Sequence, residues 1–211
     1  KSGRTFLYSF QKNTTKKKMI PKGRLIAVDT ETTGLFPWFG DRPFCFTFCN
    51  EIGEKGYSYW KVDPFTRNVI PNDTDTVELK DFFLDSTTTK VFHNSKFDIA
   101  MLTHFGFQVN GPIHDTYFAA KLLRDEINYK LKHLAKKYVG IDNEDEKELQ
   151  RATMRGRLQG KKLGWKLAVD LEADYWTAPK EVVLKYAMLD VERTMLLWKM
   201  YEENFAEDAE Q

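Results

Sequence analysis

The residues Arg24-Leu25-Ile26-Ala27-Val28-Asp29-Thr30-Glu31-Thr32-Thr33-Gly34-Leu35 constrain the fold more than any other stretch. An apolar run ends in two carboxylates one residue apart. Side chains alternate along a strand, so Asp29 and Glu31 point to the same face. Two like charges at the end of a buried strand repel, and something cationic has to offset them. A hard divalent metal ion is one solution. The other is a strand running into a polar turn, with Asp29 and the threonines merely opening the loop. Taken alone, the stretch leaves both readings open.

Composition bounds what can surround it. The chain has 211 residues, 42% of them hydrophobic and 14% aromatic. That suits one large domain, or a domain with an insertion, around a real core. No apolar run reaches the length of a membrane span, and no membrane partner is expected. No secretory leader is visible, and the chain opens at Lys1 rather than Met, so its start reads as trimmed. Cys45 and Cys49 stand four apart without a metal-binding Cys/His spacing, and are expected to be reduced core residues of an intracellular protein. The net charge of +1 conceals an asymmetry: residues 1–24 carry eight Lys/Arg and no acids, and the remainder carries 24 bases against 31 acids. The basic arm, 1–23, suits a phosphate backbone or a solvated leader.

In chain order, strands are expected at 24–30, 43–49 and 56–60, the last two joined through a turn at Gly53. Residues 61–75 read as polar loop. Thr76 is placed as the N-cap of a helix over 77–84, and 89–92 reads as a short strand. After Asn94 the pattern turns helical as far as Gly106. A strand at 112–114 leads to Asp115, expected to cap a helix through Leu123 rather than to bind metal. A further helix is expected at 131–139, stopped by Gly140. Residues 142–176 are highly charged and contain Gly156, Gly160 and Gly164, which predicts a helix followed by a loop-rich insertion. The last helix is expected at about 180–204, before an acidic tail, 207–211. Strands early and helices late indicate an α/β fold with a mixed sheet.

Two more motifs accompany the first. Val91-Phe92-His93-Asn94-Ser95-Lys96-Phe97-Asp98 places an acid at a helix start beside a strand end. In the last helix Tyr186 and Asp190 are four apart and share a face. In this order and spacing the three motifs resemble the DEDD 3′→5′ exonucleases, and most of all the proofreading domain of family A, phage-like DNA polymerases. The segments 115–123 and 131–135 add to the likeness, which covers about 24–204. The histidine subtype needs His five residues before the last Asp; Lys185 stands there, so the tyrosine subtype is the fit.

The resemblance implies a ribonuclease H-like fold, with a five-stranded mixed sheet flanked by helices, over a domain of about 24–206. It implies two Mg²⁺ (or Mn²⁺) ions held by Asp29, Glu31, Asp98 and Asp190. Asp29 would bridge them, Glu31 and Asp190 would complete the tighter site, and Asp98 would serve the second partly through water. Tyr186 would orient the attacking water; a tyrosine titrates near 10 and is a poor base at neutral pH. Leu35 matches the family's apolar wedge between the last two bases. Thr32, with backbone N–H groups nearby, is a candidate for the terminal 3′-hydroxyl, and Asn94 for a phosphate or sugar. Thr30 and Phe97 complete the expected substrate-binding set with Trp38, an aromatic suited to stacking on unpaired bases or to folding back onto the core.

The function so implied is removal of 5′-mononucleotides from the 3′ end of single-stranded or frayed DNA, in proofreading during DNA replication. Expected partners are that DNA end and a polymerase domain or subunit, with the chain itself a monomer. Its expected location is inside the cell: cytoplasm, nucleoid or an infected host. The rivals are an RNA 3′-end-trimming exonuclease with the same motifs and a nucleic-acid-binding polymerase domain whose activity is vestigial.

Overall fold

The computed structural model describes residues 19–209 apart from residue 125. Most of the basic arm and the end of the acidic tail lie outside the described residues. The chain runs through β1 (Leu25–Thr32), β2 (Pro43–Asn50), β3 (Lys55–Tyr59), β4 (Lys61–Val62), β5 (Val69–Ile70), α1 (Asp73–Leu84), β6 (Thr89–Phe92), α2 (Ser95–Phe105), β7 (Ile113–Asp115), α3 (Thr116–Leu123), α4 (Leu131–Tyr138), α5 (Glu144–Lys162) and α6 (Lys180–Ala209). Short 3₁₀ turns stand at Pro37–Phe39 and Glu172–Thr177.

Five strands form a mixed sheet in the order β3-β2-β1-β6-β7, and β4 and β5 form a separate pair. β1 is central. It pairs antiparallel with β2 along its whole length but parallel with β6 only from Leu25 to Ala27. Beyond Ala27, β6 has already turned toward α2, so one flank of β1 is open where Asp29 and Glu31 stand. Parallel strands leave their ligand crevice at their carboxyl ends for this topological reason.

The alternation of β1 sorts the two layers. Ile26 and Val28 pack with Phe46, Phe48, Trp60, Phe83, Phe92 and Phe107 on the face covered by α1 and α2. Ala27 packs on the other, with Leu134, Ala135, Val191, Met195 and Leu197 of α4 and α6. Burying each such large side chain contributes roughly 2 kcal/mol. A third cluster joins Phe44 and Cys45 to Leu149, Ala152, Tyr175, Val183 and Ala187. Both cysteines are buried and unpaired with each other. No helix among the described residues is long and apolar enough to cross a membrane.

Two local expectations are corrected. Helix α1 begins at Asp73, capped by the Asn72 side chain, which accepts from Asp75 N–H at 3.0 Å; Thr76 lies within the first turn. The 61–75 segment is not all loop, since it holds β4 and β5. Residues 142–176 hold the expected helix followed by loop and a 3₁₀ turn, with α5 running straight through Gly156 and Gly160 as far as Lys162. Glycine weakens a helix interior by about 1 kcal/mol, but here it admits close contacts. A Cβ on Gly156 would lie 2.2 Å from the Thr177 carbonyl oxygen, and one on Gly160 would meet the Trp165 ring at 2.7 Å.

Candidate active site

Period 2 in β1 puts Asp29 and Glu31 on the α6 side and Thr30 on the α2 side. Helix α6 crosses that first face, its height fixed where Thr47 Oγ1 donates to the Ala187 carbonyl at 3.1 Å. This brings Asp190 to the two β1 acids. One carboxylate oxygen from each of Asp29, Glu31 and Asp190 lies within 4.8 Å of the others. The donor set, three carboxylates with no sulfur or nitrogen ligand, fits a hard divalent cation. Asp98, in the first turn of α2, approaches over the strand end and is engaged differently: Thr30 Oγ1 donates to its Oδ1 at 2.7 Å.

The approach of α2 depends on a strained joint. Asn94 has φ of 66°, in the left-handed region. Asp115, at the end of β7, secures it. Its carboxylate accepts N–H bonds from Asn94 at 3.0 Å, Ser95 at 2.7 Å and Tyr117 at 2.8 Å. One acid thus stabilises the amino ends of two helices, and Asp115 is a cap, as expected, with both oxygens occupied by backbone.

The acids share a cleft of about 190 Å³, which Thr30, Thr32, Leu35, Phe97 and Tyr186 also line. Tyr186 sits one turn before Asp190 on α6. Leu35 is about half exposed at the rim. Thr32 donates its hydroxyl to the Gly34 carbonyl at 2.7 Å, which tightens the loop after β1. Asn94 and Trp38 are not among the lining residues. Trp38 is 60% exposed and meets Phe36, Phe39 and His104 at ring centroid distances of 5.8, 6.4 and 6.3 Å. Trp165 stacks on Trp176, and Arg157 donates to the Ala168 carbonyl and pairs with Asp174.

Burial and the crowding of charge raise the pKa values of the acids. Burial, then the charges of Glu31, Asp98 and Asp190, hold the Asp29 carboxyl well above its ordinary range. Burial and Asp190 push Glu31 up to about 8, although Lys132 pulls the other way. Burial pushes Asp98 up to about 7 against the bonds from Thr30. A bound cation would relieve all three. Burial also pushes the Tyr186 hydroxyl well above 10, so it stays protonated and can only donate or orient.

Several site residues carried no signal that a linear reading could use. Glu172 and Tyr175, from the supposed loop insertion, form a wall of the cleft. Lys132, second residue of α4, donates to Tyr186 OH at 2.8 Å and to Asp190 Oδ2 at 2.9 Å. Burial alone would lower its basicity, yet the charge of Asp190 and the bond to it hold the ammonium above its ordinary value. Arg193 is fully buried and donates to Asp190 Oδ1 at 2.7 Å and to Asp145 Oδ2 at 2.8 Å. Only its three-residue spacing from Asp190 was visible in the sequence.

The sheet order, the flanking helices and the acidic cleft define a ribonuclease H-like nuclease of the DEDD class. The chain belongs to the 3′-5′ exonuclease family of A-type DNA polymerases, whose family model matches residues 8–204. It is 28% identical over 184 residues to DNA polymerase DpoZ of Salmonella phage PMBT28, covering 86% of this chain and 27% of that protein. It is 27% identical over 197 residues to DNA polymerase DpoZ of Vibrio phage phiVC8, covering 87% and 28%. The chain therefore spans little more than a quarter of those relatives. Among solved structures, NrnC of Brucella melitensis superposes with a TM-score of 0.61 at 22% identity, over 89% of this chain and 76% of that one. NrnC has also been solved with bound Mg²⁺ and bound to pGG.

Proposed function

We propose that this domain removes nucleotides one at a time from the 3′ end of single-stranded or frayed DNA, releasing 5′-mononucleotides, as the proofreading activity of a DNA polymerase. The observation that carries the reading is the meeting of Asp29, Glu31 and Asp190 oxygens within 4.8 Å, beside Asp98 and Tyr186 in one cleft. The relatives among phage DNA polymerases favour DNA and a polymerase context.

Asp29, Glu31 and Asp190 would hold one Mg²⁺ or Mn²⁺, and Asp98 with Asp29 a second. Two such ions supply an activated water and stabilise the leaving oxygen of an in-line phosphoryl displacement. The chain's own residues do the rest. Tyr186, kept protonated, orients the water through its hydroxyl. Leu35 and Phe97 press on the terminal bases, and the loop around Thr32 holds the end of the strand. Trp38, outside the cleft, offers its exposed ring to an unpaired base farther back; stacking of this kind is indifferent to sequence. Asn94, exposed at the α2 amino end, would meet a phosphate or sugar.

The test is a 5′-labelled single strand incubated with the protein and Mg²⁺ or Mn²⁺. A ladder shortening from the 3′ end is expected, and Asp29→Ala or Asp98→Ala should abolish it. Cutting within a circular single strand would exclude the exonuclease reading. Faster shortening of a matched RNA would move the substrate to RNA, and binding without metal-dependent turnover would mark the site as vestigial.

A further inference from the structure

We infer that Lys132 is a positioning residue that supplies counter-charge to the carboxylate trio through Asp190 until a divalent cation arrives, and that it holds the Tyr186 hydroxyl beside Asp190. The inference rests on the proposed reading of Asp29, Glu31 and Asp190 as a metal site.

Asp190 has both oxygens engaged by cations. Oδ1 takes the Arg193 guanidinium at 2.7 Å, and Oδ2 takes the Lys132 ammonium at 2.9 Å. The two cations are not equivalent. Arg193 is locked: it is fully buried, it grips Asp145 with two nitrogens, and it also donates to the Asp142 carbonyl. A planar guanidinium in such a fork does not move without breaking every bond. Lys132 is a single ammonium on a flexible four-carbon stem, with a side chain still 14% exposed. Its two hydrogen bonds go to Asp190 and to Tyr186 OH. Of the two Asp190 oxygens, Oδ2 is therefore the one that can be released.

The backbone of Lys132 is fixed by its neighbours. Leu134 and Ala135, on the same short helix, are fully buried against α6. Helix α4 thus delivers an ammonium to the acids at constant distance while its stem retains freedom. Without a cation, three acids within 4.8 Å would repel at close range in a medium that screens poorly. Lys132 supplies the counter-charge there. When a divalent ion takes the pocket, Lys132 gives up Oδ2 and retains Tyr186 OH, so the phenol stays in register through the exchange.

The experiment compares wild type, Lys132→Met, Lys132→Gln and Lys132→Arg by Mn²⁺ binding, read by electron paramagnetic resonance, and by thermal unfolding with and without Mn²⁺. Removing the competing charge should tighten Mn²⁺ binding by about tenfold in Lys132→Met. Its melting temperature should fall in metal-free buffer and return toward wild type in saturating Mn²⁺. Lys132→Arg, which keeps the charge, should bind Mn²⁺ like wild type. Lys132→Gln serves as the second neutral variant if the methionine variant does not fold. Equal destabilisation with and without Mn²⁺, or unchanged affinity in the neutral variants, would make Lys132 merely structural and overturn the inference. Failure of folded wild type to bind Mn²⁺ would instead remove the metal reading itself.

Discussion

Arg193 donates to Asp190 from one turn farther along the same helix, 2.7 Å from Oδ1, and its other contacts reach Asp145 across the interface with α5. A carboxylate of the acidic cleft is thereby tied to the charged helix α5. Breaking a buried ion pair by removing one partner leaves an uncompensated charge and costs about 3–5 kcal/mol. Arg193→Met is expected to lose stability of that order in urea unfolding and to lose nuclease activity with it. Asp145→Asn, which keeps a hydrogen-bond acceptor, should lose less of both.

Asp29 is held protonated well above its ordinary range by burial and by Glu31, Asp98 and Asp190. Its ionised form is strained in the metal-free protein. Asp29→Asn should therefore raise metal-free stability at pH 8, by roughly 1–2 kcal/mol, while exonuclease activity disappears. Paired melting curves and 3′-end shortening assays check both directions. A fall in metal-free stability would show that the charge is not strained there.

Gly156→Ala sets two effects against each other. Alanine gains about 1 kcal/mol of helix propensity over glycine. Its Cβ, 2.2 Å from the Thr177 carbonyl oxygen, forces the backbone of two elements apart, and overpacking costs about 1–3 kcal/mol. The clash is with backbone, which cannot rotate away, so a net loss is expected in chemical denaturation. The displaced turn carries Glu172 and Tyr175, so KM for a single strand should rise as well.

His93 gives a pH dependence of known sign. Burial pushes its imidazole down to about 4, against an unfolded value of about 6.5. Between these values the unfolded chain binds the proton and the folded chain does not. The stability held by neutral His93 is present above about pH 6.5 and lost as pH falls toward 4. The difference in unfolding free energy between wild type and His93→Gln should shrink across that window, by about 3 kcal/mol. A difference that is flat with pH would refute it.

Trp38 tests the exposed aromatic loop. Stacking on an aromatic side chain is worth about 1–3 kcal/mol per base. Trp38→Ala is expected to weaken binding of a long single strand by roughly 5- to 100-fold, with little effect on a dinucleotide too short to reach the ring. Being 60% exposed, Trp38 should leave the unfolding midpoint nearly unchanged.

The residues legible in advance are those whose geometry is local. Asp29 and Glu31 share a face because a strand has period 2, and Tyr186 and Asp190 because a helix has period 3.6. The boundaries of β2 and α2 followed from the apolar run at 43–49 and from Gly106, whose φ of 99° ends the helix. Gly156 could not be placed in advance for a physical reason. Its helix penalty is intrinsic and readable, but the close contact with Thr177 that requires it involves a residue 21 positions away.

By itself, then, the sequence determined the period of each element, the face each acid takes and the order of the three motifs. The tertiary structure alone decided that β6 leaves β1 open beyond Ala27, that the 3₁₀ turn bearing Glu172 and Tyr175 walls the cleft, and that Lys132 and Arg193 divide the two oxygens of Asp190 between them. Periodicity is set by the covalent backbone and travels with the chain. The partners of a buried charge are set by how helices pack, and no local pattern encodes that.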